Sequence, residues 1–188
     1  MFTGLIILLI SLKSFSSQTK YLGCTFPNKD ELSYIESCAS QNKYGKLKIK
    51  SDVLKKIQFD KNQLAGGSIS SKGCYWLKQT GEMKKTYCYD NGSDYFTEGL
   101  SRYLDDRGRF GYMNEKLKVK IPAQFTFAFP FENGTAKICM GCKFVKSNSS
   151  EHTSVTGGVW KIINKSGRTL KKCKNESEYS NCTINKRG

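Results

Sequence analysis

Cys139 and Cys142 are separated by two residues, and His152, the only histidine in the 188-residue chain, follows soon after. Zinc takes four nitrogen or sulfur ligands in a tetrahedral array; this segment offers three, with Cys173 or Glu151 as a distant fourth. A Cys-x-x-Cys pair also serves thiol–disulfide chemistry when a helix N-terminus lowers one thiol's pKa. Both chemistries lead to one reading, a zinc- or thiol-dependent enzyme centred on Cys139, Cys142 and His152. Against it, the chain has no second Cys-x-x-Cys, and its surroundings are strand-like. A local disulfide is the simpler expectation, with His152 a polar loop residue.

The acidic residues give weaker signals. Asp90, Asp94 and Glu98 offer hard oxygen ligands, but their spacing is not that of a calcium loop, and turn chemistry accounts for Asp90-Asn91-Gly92. Asp105, Asp106 and Glu115 would have to act as paired carboxylates to hydrolyse a glycoside. They lie in a charged turn and a hairpin, where solvated surface is the expectation. No catalytic residue, metal or cofactor is therefore assigned.

All eight cysteines lie beyond an apolar run, Gly4–Leu12, that is too short to span a bilayer and has the length of a signal-peptide core. Residues 1–17 are read as a signal peptide or N-terminal anchor, and the chain as periplasmic or secreted. An even cysteine count in an exported chain implies disulfides. In a linear series of hairpins, near neighbours meet: Cys24 with Cys38, Cys74 with Cys88, Cys139 with Cys142, and Cys173 with Cys182. The formal charge of +15 attracts anionic polymers, so a basic module binding such polymers is a third reading. No nucleic-acid motif accompanies the lysines, and specific nucleic-acid binding is not expected.

The elements that carry these residues repeat. FTEGLSRYL (Phe96–Leu104) recurs as FENGTAKIC (Phe131–Cys139), and RFGYMNEKLKV (Arg109–Val119) recurs as VWKIINKSGRT (Val159–Thr169). The second pair is offset further than the first because an insertion, about Cys142 to Gly158, interrupts the later copy. WLKQTGEMK, with Gly81, marks an earlier copy. Units of this size cannot cover their own apolar faces and must stack.

Alternation of Leu117, Val119 and Ile121, continued by Phe125, Phe127, Phe129 and Phe131, predicts strands whose large side chains form a core seam. Pro122 and Pro130 belong at strand ends or on an edge. Leu47, Ile49, Val53 or Leu54, Ile57 and Phe59 also read as strand, whereas Leu32, Ile35 and Cys38 predict a short helix over Lys29–Asn42. The expected fold is all-β, with an N-terminal segment at 18–56, three degenerate units at 57–173 and a polar tail at 174–188.

FTEGLSRY, FGYMNEKL and IPAQF in one unit, with FENGTAKI and WKIINKSG in the next, resemble the WG-repeat family of bacterial proteins. The resemblance covers roughly Ile57–Leu170. It is closest to exported members carrying a DNG-x-DYF segment, a C-x-G-C and a downstream EHT and GG-x-W. It implies β-rich structural or binding modules without general enzymatic activity, here a binding or scaffolding module of the bacterial envelope. Its partner would be an unknown protein or an envelope polymer, with membrane attachment only through an uncleaved N-terminal segment. It also implies structural roles for Phe96, Gly99, Phe110, Gly111, Tyr112, Phe131, Gly134, Trp160 and Gly167. Two positions depart from the pattern: Lys161 replaces the glycine of Trp-Gly, and Leu117 stands where the other copy has Gly167. Altered turn geometry is expected at both.

Overall fold

The computed structural model describes residues 19–28, 31–90, 92–146, 153–173 and 182. The apolar N-terminal run, Asn91, Glu151, His152 and most of the polar tail lie outside them.

The described elements run β1 (Lys20–Asn28), β2 (Glu31–Gln41), β3 (Leu47–Ile49), α1 (Ser51–Leu54), β4 (Leu64–Ile69), β5 (Gly73–Lys78), β6 (Met83–Thr86), β7 (Cys88–Tyr89), β8 (Gly92–Ser93), β9 (Leu100–Leu104), β10 (Phe110–Asn114), β11 (Val119–Phe125), β12 (Phe127–Ala128), β13 (Thr135–Met140), β14 (Lys143–Lys146), β15 (Thr153–Thr156), β16 (Val159–Asn164) and β17 (Thr169–Lys172). The fold is all-β and antiparallel. One sheet has the order β11-β10-β9-β6-β5-β4-β1-β2-β3, a second β12-β13-β16-β17, and two ribbons pair β14 with β15 and β7 with β8.

Three-stranded meanders recur as β4-β5-β6, β9-β10-β11 and β13-β16-β17. The sequence copies occupy equivalent places in the last two. The pairs Thr97↔Leu100 and Glu132↔Thr135 each close a two-residue turn, with left-handed Glu98-Gly99 in one and Asn133-Gly134 in the other. Among the described residues a second turn type occurs five times, at Asn42, Asp60, Asp105, Asn114 and Asn164. In each, the side-chain Oδ1 accepts N–H bonds of 2.8–3.1 Å from the residues two and four positions on. The residue three positions on is left-handed: Gly45, Gln63, Gly108, Leu117 and Gly167. Leu117, with φ 56°, thus keeps the geometry of its glycine counterpart, contrary to expectation.

Three other expectations are corrected. The described part of Lys29–Asn42 is not helical: Glu31–Gln41 forms β2, which pairs with β1 from Lys20↔Gln41 to Asn28↔Glu31. Helical spacing misled because Leu32 is exposed, and pairing with β1 outweighs local preference. A register shift opposite Leu22/Cys24, with Ser37 left-handed, turns both Cys38 and Ala39 inward. The strand expected beyond Ile49 ends there, and the chain makes the short helix α1, which buries Val53. Val119 faces solvent, because register shifts in the β10–β11 pair break its alternation with Ile121.

The phenylalanine seam forms, but across two sheets. The chain bends at Thr126, so Phe125 ends β11 in the large sheet while Phe127 begins β12 in the second. Phe125, Phe127 and Phe131 are buried and Phe129 is partly buried, in one core with Phe110, Tyr112, Ile138 and Trp160. Pro122 lies in the edge strand β11 and Pro130 just beyond β12. A second core, beneath β1, β2, β4 and β5, takes in Phe26, Ile49, Val53 and Leu77. A third joins Leu64, Tyr103, Met113 and Leu117.

Candidate functional site

Cys139 is in β13 and Cys142 lies between β13 and β14; the two are bonded to each other, with Cα atoms 6.1 Å apart. Cys173 is bonded to Cys182, Cys24 to Cys38 and Cys74 to Cys88, with Cα separations of 5.7, 5.6 and 5.2 Å. These fall in the ordinary disulfide range. The structure thus brings Cys139 and Cys142 together as a disulfide, and none of the three thiols proposed for zinc is free to ligate.

The Cys-x-x-Cys bridge secures the base of the inserted ribbon. The Gly141 N–H donates to Thr126 Oγ1 at 2.8 Å, and Trp160 Nε1 donates to the Gly157 carbonyl at 3.1 Å. Gly158, with φ 73°, lies so close to the bridge that an added Cβ would meet Met140 O at 2.6 Å, Cys142 N at 2.7 Å and Cys139 Sγ at 2.8 Å. The insertion leaves through Cys142 and returns through Gly158 at one clamped point. Beyond it, β14 and β15 pair only with each other, and all four residues of β14 are exposed.

Asp90, Asp94 and Glu98 are not gathered. Asp94 is buried and pairs with Arg102: Oδ2 accepts the Arg102 backbone N–H and Nε, both at 2.9 Å, and Oδ1 accepts Nη2. Trp76 Nε1 and Ser101 Oγ donate to the Asp94 carbonyl at 2.8 and 3.1 Å. Arg102 Nη1 donates to the Ala128 carbonyl at 3.0 Å, and the guanidinium stacks 4.7 Å from the Tyr87 ring centre. One buried pair therefore ties β5, the segment after β8, β9 and β12 together. The sequence reading missed it. Arg102 sits among buried Ser101 and Tyr103 in a strand without alternation, so only an Asp eight residues earlier could have pointed to it.

Glu98 instead reaches the third unit. Its carboxylate accepts the Gly134 N–H at 3.1 Å and lies 3.0 Å from Lys165 Nζ. The Lys165 hydrogen bond, then the Gly134 N–H, hold its pKa below the ordinary glutamate value. Asp105 accepts the Arg109 N–H and Nε, each at 2.8 Å. Partial desolvation raises its pKa, but the bonds from Arg109 and Arg107 more than reverse this, so the net shift is downward. Asp105 and Asp106 border an open groove of about 670 Å³, also lined by Lys46, Tyr75, Met83 and Lys85, where turns from β2–β3, β5–β6 and β9–β10 converge. Burial, then the Asp106 carboxylate, pushes the Tyr75 phenol up. The groove's charges are of both signs, and Glu115 does not line it.

Among the repeat residues, Phe96 packs on Trp76 with centroids 4.9 Å apart, and Phe110, Tyr112, Phe131 and Trp160 are buried. Gly99, Gly134 and Gly167 are left-handed turn residues. Gly111 is needed because β11 crosses it closely: a Cβ would stand 2.6 Å from Ile121 O and 2.7 Å from Ala123 N. At the equivalent position Lys161 pairs regularly with Lys172 of β17.

A family model for a WG containing repeat matches residues 110–143. The matched WG repeat begins at Phe110-Gly111 in β10, passes through the β11–β12 bend and the Asn133-Gly134 turn, and ends at the start of β14. It is similar to this part of the chain, within the longer stretch marked by internal copies. No curated protein and no solved structure matches the chain.

Proposed function

We propose that this is an exported, disulfide-stapled, WG-type repeat module of the bacterial envelope that works by binding or scaffolding and not by catalysis. The supporting observation is that all eight cysteines are consumed in four bridges between near neighbours. Such bridges persist in oxidising compartments, and each closes a loop whose entropy would otherwise favour unfolding. The same bonding uses Cys139 and Cys142 structurally, which weighs against a zinc or thiol centre with His152. The DNG-x-DYF and C-x-G-C segments, features of the exported subtype, have matching structural work here: Asp94 anchors Arg102, and Cys139–Cys142 clamps the ribbon.

Intact-mass measurement on chain purified from an oxidising compartment tests this reading. A mass eight hydrogens below that of the reduced chain, without bound zinc, is expected. Free thiols accompanied by one zinc per chain would replace the reading with the metal-dependent alternative.

A further inference from the structure

We propose that the groove between β6 and β9 binds a short extended peptide carrying a free amino group and a free carboxylate. This inference rests on the binding reading above and deepens it, naming a ligand class and the place that takes it.

The groove exists because the large sheet parts at one seam. β5 and β6 share four register pairs and β9 and β10 share five, but β6 and β9 meet only at Thr86↔Tyr103. On the turn side of that pair, Met83 and Lys85 of β6 and Leu104 of β9 have no register partner across the seam. Parted strands offer an extended peptide a backbone edge to add to. Lys46 and Leu47, from the β2–β3 turn and the start of β3, also line the opening of about 670 Å³.

Some of the groove's charges are satisfied locally. Glu82 pairs with Lys78, Asp105 with Arg109, and the Lys84 ammonium lies 5.0 Å from the Tyr103 ring centre. Lys46, Lys85 and Asp106 remain, and none has an ion-pair partner among the described residues. Lys85 is the cross-strand partner of Tyr75, whose phenol pKa is raised by burial and then by the Asp106 carboxylate, so both signs of charge meet at this part of the groove. Two ammonium groups and a carboxylate therefore border one opening without neutralising one another. Partly buried Leu47, Met83 and Leu104 share the lining.

That combination distinguishes between possible ligands. A polyanion would use the lysines and be repelled by Asp106. A neutral glycan would leave all three charges unanswered. A dipolar peptide answers each: its ammonium meets Asp106, its carboxylate meets the lysines, and an apolar residue between them covers the aliphatic lining. The volume exceeds what one amino acid needs and lies within the range of small-ligand sites.

The test uses the full oxidised chain and the tripeptide alanyl-leucyl-alanine, followed by NMR titration. Saturable binding is expected, and N-acetylation or C-amidation of the peptide should each weaken it about fivefold. Asp106→Asn should weaken the free and amidated peptides by about the same factor and leave the acetylated one unchanged. K46Q/K85Q should weaken the free and acetylated peptides and leave the amide unchanged. Removing two exposed lysines outside the groove, K20Q/K118Q, should alter none of these affinities.

Equal affinity for the free and the doubly blocked peptide would overturn the inference, because the charges would then be unused. Equal loss from both lysine pairs would replace it with diffuse charge. Chain with four intact disulfides that fails to bind the free peptide refutes the groove alone, whereas free thiols with bound zinc in the same preparation refute the reading on which it rests.

Discussion

Asp94 and Arg102 form a buried ion pair, 2% and 3% exposed; Arg102 also donates to the Ala128 carbonyl, and the Asp94 backbone carbonyl accepts from the Trp76 indole and Ser101 Oγ. Removing one partner of such a pair leaves an uncompensated charge in the interior. Asp94→Ala is therefore expected to cost about 3–5 kcal/mol in denaturant unfolding. The double variant D94A/R102M should be less damaged than the sum of the single changes, because it leaves no orphaned charge. Additive losses would mean that the two side chains act independently.

Gly111 and Lys161 occupy equivalent positions in successive units but not equivalent surroundings. Gly111→Ala places a Cβ against β11 backbone, so a loss of about 1–3 kcal/mol is expected. Lys161→Gly creates no such conflict and should stay within about 1 kcal/mol of the parent. Thermal melts of the two variants make the comparison.

Gln63 has the left-handed conformation that glycine holds in three of the five Asn/Asp turns, and it is exposed. Gln63→Gly should stabilise the fold, by up to about 1 kcal/mol. Leu117→Gly, at the same turn position, should instead destabilise, because Leu117 is buried with Tyr103 and Met113. Matched urea titrations would show the opposite signs.

Glu98 supplies a pH dependence. Its folded pKa lies below the ordinary value, through Lys165 first and then the Gly134 N–H. Its contribution is complete above the unfolded glutamate pKa, about 4.3, and is lost as pH falls through the lowered folded value. Glu98→Gln should therefore reduce stability at neutral pH and flatten the acid limb of a stability–pH curve. Parallel curves for parent and variant would show that this carboxylate is not linked to folding.

The repeat architecture was legible because turn chemistry is local. Asn133-Gly134, and the equivalence of Asn114–Leu117 with Asn164–Gly167, announce hairpins before any tertiary contact is known. Neighbour pairing of the cysteines follows from the same local logic. What escaped depended on tertiary context. Lys29–Asn42 has helical spacing, yet its described part pairs with β1, and Cys38 reaches Cys24 only through the irregularity at Ser37. The phenylalanine alternation located the core but could not reveal the bend at Thr126 that divides it between sheets. Arg102 gave no sign of its burial, because nothing local specifies Asp94 as its partner.

Non-reducing peptide mapping of the chain, with each bridge assigned from cross-linked fragments, tests the central claim most directly. The account predicts Cys24–Cys38, Cys74–Cys88, Cys139–Cys142 and Cys173–Cys182, with no alkylatable thiol. Cys139 and Cys142 recovered as reactive thiols, or bridged to distant cysteines, would contradict it.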